Sequence, residues 1–241
     1  MFKAELYKIR SHRTPTVLAG VLAIAVLIPS AVLVWYSPAN TTAYTSIYST
    51  IFAILTVLLG IVFGGWILGT EYRQDTVKRM LTAESRRGRA LASKAAVGAG
   101  AMITVMAATA LVGYGAARLV GSLNDVSVAF EGRTLLGYGV AALLSAVIAF
   151  GLSALTRSDS FAMIGTIALV LVLDPLLRIV PWIGKYSYGN AVGVVTEQIQ
   201  GAASGFGEPA TTSLTVAIIT LATWLTASVA TGAIAFARRD V

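Results

Sequence analysis

The chain of 241 residues is 56% hydrophobic and 12% charged, against roughly 25% charged residues in soluble domains, and it holds an uncharged run of 57 residues, 14–70. A soluble domain of this size has no interior able to hide such a run, so the composition places the chain in lipid. The formal charge of +7 argues for anionic lipid and the positive-inside bias and against nucleic acid, because Lys and Arg cluster at the ends of apolar spans.

Residues 1–13 read as a helix lying in the membrane interface. Phe2, Leu6 and Ile9 share a face, and Lys3, Lys8 and Arg10 can reach anionic headgroups. The uncharged stretch that follows exceeds the 7 to 15 residues of a signal-peptide core, so it is expected to be retained as a first span, 16–36. At about 1.5 Å of rise per residue across a core of roughly 30 Å, five more stretches meet or approach the length needed. They are 44–68, 95–117, 135–156, 160–177 and 211–237. The expected fold is all-α: one polytopic membrane domain, 1–241, of six transmembrane helices.

Lys and Arg in alternate loops number 14 on one side and 4 on the other, which predicts that both termini are cytoplasmic in a cell membrane. Two loops are long. The cytoplasmic segment 69–94 is rich in charge, and the outer segment 179–210 is too apolar for a solvated loop and too broken by glycine to span. The outer segment is expected to form a short re-entrant or interfacial helix.

In the second span, Gly60 with Gly64 and Gly65 with Gly69 give two small-xxx-small spacings that permit close helix packing within the chain. Tyr48, Phe52 and Thr56 recur at i, i+4 and i+8; they could face a substrate pathway or serve ordinary helix packing. Asp174 and Arg178 stand at i, i+4 near the outer boundary, a spacing that predicts a local ion pair in place of a proton relay.

The chemistry-bearing motifs of enzymes are missing. No G-x-x-x-x-G-K-[ST] phosphate loop, H-E-x-x-H or G-x-S-x-G occurs. With no cysteine and a single histidine, His12, thiol catalysis and cysteine-based metal sites are excluded. No catalytic residue, metal or bound cofactor is expected. The segment 69–94 has a helical pattern, with Tyr72, Thr76, Met80 and Leu81 able to share a face that a partner could grip; a solvated loop is the plainer alternative.

This segment resembles the cytoplasmic loop of the ABC type-2 permease family, in which an E-x-x-x-G-T core follows the second span, then a Leu-rich turn, an Arg-containing bend and a Lys opening the third span. Glu71, Thr76, Leu81, Arg86 and Lys94 match that pattern. Asp75 stands where the family often has Gly, and Ala83, Glu84 and Ser85 where a Pro is frequent. The resemblance implies an exporter permease whose coupling helix docks on a separate ABC ATPase carrying ATP and Mg. By it, Glu71, Tyr72, Arg73, Thr76 and Leu81 are the expected ATPase contacts, and Arg86, Arg87 and Arg89 bind lipid headgroups or pair with the ATPase. It also implies two ATPase copies and a second permease subunit, identical or similar, with Tyr48, Phe52 and Thr56 at the seam. An ion-coupled transporter or channel, and a non-transport scaffold, are the rival readings.

Overall fold

A computed structural model describes residues 41–74, 87–123, 132–201 and 212–238, with isolated positions 20, 28, 32, 76, 77, 82 and 125. The interfacial segment 1–13, most of the first span, Leu81 and Arg86 lie outside the described residues. So do 202–211 of the outer segment. Every described element is helical: α1 (Thr41–Arg73), α2 (Arg87–Leu123), α3 (Gly132–Thr156), α4 (Asp159–Ala168), a π-helical turn (Leu169–Leu173), α5 (Asp174–Arg178), α6 (Pro181–Gly184), α7 (Tyr188–Gln200) and α8 (Leu214–Arg238). Five stretches among them are long and apolar enough to cross a membrane: Ala53–Arg73, Gly88–Leu123, Gly132–Thr156, Asp159–Arg178 and Leu214–Arg238. The protein is a polytopic, all-helical membrane protein.

The second and third spans run past their apolar windows. Helix α1 continues to Arg73 and α2 begins at Arg87, so both ends of the segment 69–94 are extensions of spanning helices. Between them Val77 and Thr82 are also helical. Hydrophobic windows stop at the first charges, whereas a helix continues wherever those charges find partners.

Helix α3 is the hub, packed on α1 along one side and on α8 along another. Its contact with α1 is backbone against backbone: a Cβ on Gly60 would fall 2.2 Å from the Ala142 carbonyl oxygen, and one on Gly64 2.1 Å from that of Ala146. Gly65 and Gly69 serve a different neighbour, lying against Met163 and Asp159 of α4. The two glycine spacings thus address two helices, α3 and α4, on two faces of α1. On the far side of α3, Gly151 meets Ser228 and Gly232 of α8, and Ser228 donates its hydroxyl to the Ile148 carbonyl.

The described part of the outer segment, 179–201, contains two helices, and α7 belongs to the bundle. Ser187 caps it by accepting the Asn190 N–H, and Gly201 ends it in the left-handed region at φ 72°. Tyr188 at its start hydrogen-bonds Ser145 at 3.0 Å, midway along α3, while Gln200 at its end reaches the Thr134 carbonyl near the start of α3. Helix α7 therefore lies along half the length of α3. The main core joins Val57, Ile61, Ala141, Ile148, Tyr188, Ala191 and Leu221 from α1, α3, α7 and α8.

Candidate coupling site

At the end of the bundle where α1, α3 and α8 terminate, the charged residues close on one another. Helix α1 delivers Glu71, Tyr72 and Arg73 on its last turn, and successive positions on a helix point in different directions. Glu71 turns inward and is 4% exposed. Its Oε1 accepts from the Lys94 ammonium of α2 at 2.7 Å, and its Oε2 accepts from the Thr76 hydroxyl. The chain leaves α1 through a tight turn in which the Thr76 N–H donates to the Glu71 carbonyl at 2.9 Å, and that turn carries Thr76 back over the carboxylate. Lys94 has no exposed side-chain surface. Burial of both charges makes the pair costly to break, because losing either partner strands the other in a medium of low dielectric.

Arg73 points elsewhere. Its guanidinium meets Asp159 at 2.7 Å, with Asp159 nearly buried at the start of α4 and Arg73 largely exposed. The placement suits both helix ends: a cation at the C-terminus of α1 and a carboxylate in the first turn of α4 each oppose the local dipole charge. Asp159 also accepts the Ser160 N–H at 2.9 Å, and Ser158 caps α4 through the Phe161 N–H. Only Arg157 and Ser158 connect α3 to α4, and Arg157 turns the chain at φ 56°, a conformation that disfavours side chains. The Arg157 guanidinium lies 6.0 Å from the centre of the Tyr72 ring. Tyr72 itself packs on the small core of Val77, Ala90 and Phe236, which ties the start of the loop to α2 and α8.

Of the five residues expected to meet an ATPase, the structure brings Glu71 and Thr76 together and directs Tyr72 and Arg73 to other helices. The plainer alternative of a solvated loop fails at Glu71, which sits on a spanning helix and is buried, bonded to Lys94 and Thr76. Tyr48 and Phe52 fall on α1, but their side chains lie outside the described set. Thr56 is 1% exposed and donates to the Ala53 carbonyl, so within this chain it faces the core.

Residues 1–174 match the family described as ABC-2 family transporter protein. The chain belongs to that family. No curated protein matches it. The match covers more than half of the chain, takes in all of α1 to α4, and so includes both the Glu71–Lys94 and the Arg73–Asp159 pairs. An ABC-2 chain of this kind is the membrane subunit of an ABC transporter. Among the described residues no three His, Cys, Asp or Glu side chains gather into a group able to hold a metal.

Sequence reasoning did not find Asp159 as a partner of Arg73, and it placed Lys94 by family pattern without its partner. One signal was present: Ser158-Asp159 stands directly before an apolar run, the pattern of a capped helix start. A second polar cluster lies at the other end of the stretch Asp159–Arg178, beside the first turn of α7. Asp174 is 2% exposed; its Oδ2 accepts from Arg178 Nε at 2.8 Å, and its Oδ1 accepts the Gly189 N–H of α7 at 2.6 Å. The local ion pair expected from the sequence is present, with a helix N-terminus added to it.

Proposed function

We propose that this chain is the permease subunit of an ATP-driven ABC exporter, in which it dimerises, or pairs with a similar subunit, and is driven by two copies of a separate ATPase. The observation that carries this reading is the family match over residues 1–174, joined to a sequence with no phosphate-binding loop of its own. The end of the bundle that holds Arg73, Arg157 and Arg238 then faces the cytoplasm, both termini lie there, and the membrane is the cell membrane. The loop leaving Glu71 docks on the ATPase, and ATP binding shifts the helices between two arrangements. The rival reading of a proton relay gains nothing from Asp174, whose carboxylate is already engaged by Arg178 and the Gly189 N–H.

The test is co-reconstitution in liposomes with the Walker-motif ATPase encoded nearest to this chain. The reading expects hydrolysis that depends on both subunits and a particle with two permease and two ATPase chains by mass measurement. Transport by this chain alone on an ion gradient, or a single permease in the working particle, overturns it.

A further inference from the structure

The rod Asp159–Arg178 is fastened at both ends by buried carboxylates. At the cytoplasmic end Asp159 binds Arg73, and the backbone of Asp159 lies so close to α1 that a Cβ on Gly69 would fall 2.5 Å from its Cα. At the outer end Asp174 binds Arg178 and the Gly189 N–H, with Gly189 so near that a Cβ there would fall 2.3 Å from Asp174 Oδ2. Between the anchors the helix widens into the π-helical turn Leu169–Leu173, the kind of irregularity at which helices bend. Leu171, Val172 and Leu173 are exposed there, whereas Met163, Ile167 and Val170 still pack on the main core shared by α1, α3, α7 and α8.

We infer, on the reading of the chain as an ATP-driven permease, that this spanning helix carries displacement of the corner at Glu71, Arg73 and Thr76 to α7, and that Asp159 is the positioning residue that engages it. A tie that transmits motion must survive it, and a buried carboxylate whose release would strand a charge is such a tie. Arg73 leaves α1 two residues after Glu71, so any shift that an ATPase imposes on the loop reaches Arg73 first and Asp159 next. The far carboxylate then holds the first turn of α7, the helix packed along α3 toward the outer surface.

The chain has no cysteine, so one reporter can be placed cleanly. Gln198, exposed on the last turn of α7, is replaced by Cys and labelled with an environment-sensitive fluorophore in the permease–ATPase complex in phosphatidylcholine–phosphatidylglycerol nanodiscs. Adding a non-hydrolysable ATP analogue with Mg is expected to shift the signal in the parent. Asp159→Asn should reduce the shift about threefold or more, the scale on which packed networks modulate coupling, while subunit stoichiometry stays unchanged. Arg73→Gln should reduce it equally, and the double variant no further; a mere loss of the Asp159 bond to the Ser160 N–H at the start of α4 would not be reproduced from α1. Asp159→Glu should restore most of it. If Asp159→Asn does not fold, Arg73→Gln decides. A parental shift that survives Arg73→Gln and Asp159→Asn overturns the inference and leaves the proposed function standing, as does coupled hydrolysis without any shift. Absence of coupled hydrolysis in the parent removes both.

Discussion

The Lys94 ammonium rests 2.7 Å from Glu71 Oε1, across 23 residues of sequence, with the lysine side chain entirely buried. The pair joins the end of α1 to the second turn of α2, and the Thr76 hydroxyl closes the other carboxylate oxygen. A residue expected to greet a partner protein is thus first a strut between two helices, and its substitution tests stability before it tests docking.

Removing one member of the pair is therefore predicted to be severe. Lys94→Met alone should cost about 3–5 kcal/mol, since Glu71 is left charged and buried, and Glu71→Leu alone should cost a similar amount. The double substitution should recover most of the loss, because two apolar side chains leave no charge unmatched. Thermal unfolding followed by size-exclusion recovery in detergent measures all three. Single variants as stable as the parent would mean that the pair is solvated in the working protein.

Close helix contact gives a second prediction. Gly64→Ala drives a methyl into the Ala146 carbonyl, and neither backbone can yield without parting α1 from α3, so a loss of about 1–3 kcal/mol is expected. Gly100→Ala on α2 meets nothing within 4 Å and should stabilise by up to about 1 kcal/mol through helix propensity. The same unfolding assay compares them. Equal stability for both variants would remove the glycine contact from the account.

Much of this architecture was legible locally. The Gly60 and Gly64 spacing announced a close approach, and the i, i+4 placement of Asp174 and Arg178 announced their bond, because both follow from the geometry of a single helix. The Tyr188–Ser145 and Arg73–Asp159 contacts were not legible, since nothing in a helical period says which distant helix will supply a partner. Burial of Glu71 was missed for the same reason: a charge next to a span reads as its solvated end until the lysine that neutralises it is known. Family pattern carried Lys94 into view, and only the fold supplied its role.

The outer anchor yields a third prediction. Gly189→Ala places its methyl 2.3 Å from Asp174 Oδ2 and 2.5 Å from the Arg178 guanidinium, so the N-terminus of α7 must move off the carboxylate. The Gly189 N–H bond is lost, and the Tyr188 hydroxyl is drawn away from Ser145. A cysteine at Ser145, buried in the parent, should then react with a small thiol reagent several-fold faster in the Gly189→Ala background. Unchanged reactivity would show that α7 is not held at this point.

Orientation is the last prediction, and the structure dictates where to probe it. Ser187 falls in the outer segment, but it is 1% exposed and its hydroxyl caps α7, so a cysteine there would stay silent from either side. Gln198, exposed near the end of α7, and Arg89, exposed near the start of α2, are the suitable pair, at opposite ends of the bundle. The distribution of 14 basic residues against 4 predicts that Gln198→Cys reacts with an impermeant maleimide on intact cells, and that Arg89→Cys reacts only after the membrane is opened. The converse pattern would invert the protein in the membrane. It would place the Glu71–Lys94 corner on the side away from ATP, and no ATPase could then drive it.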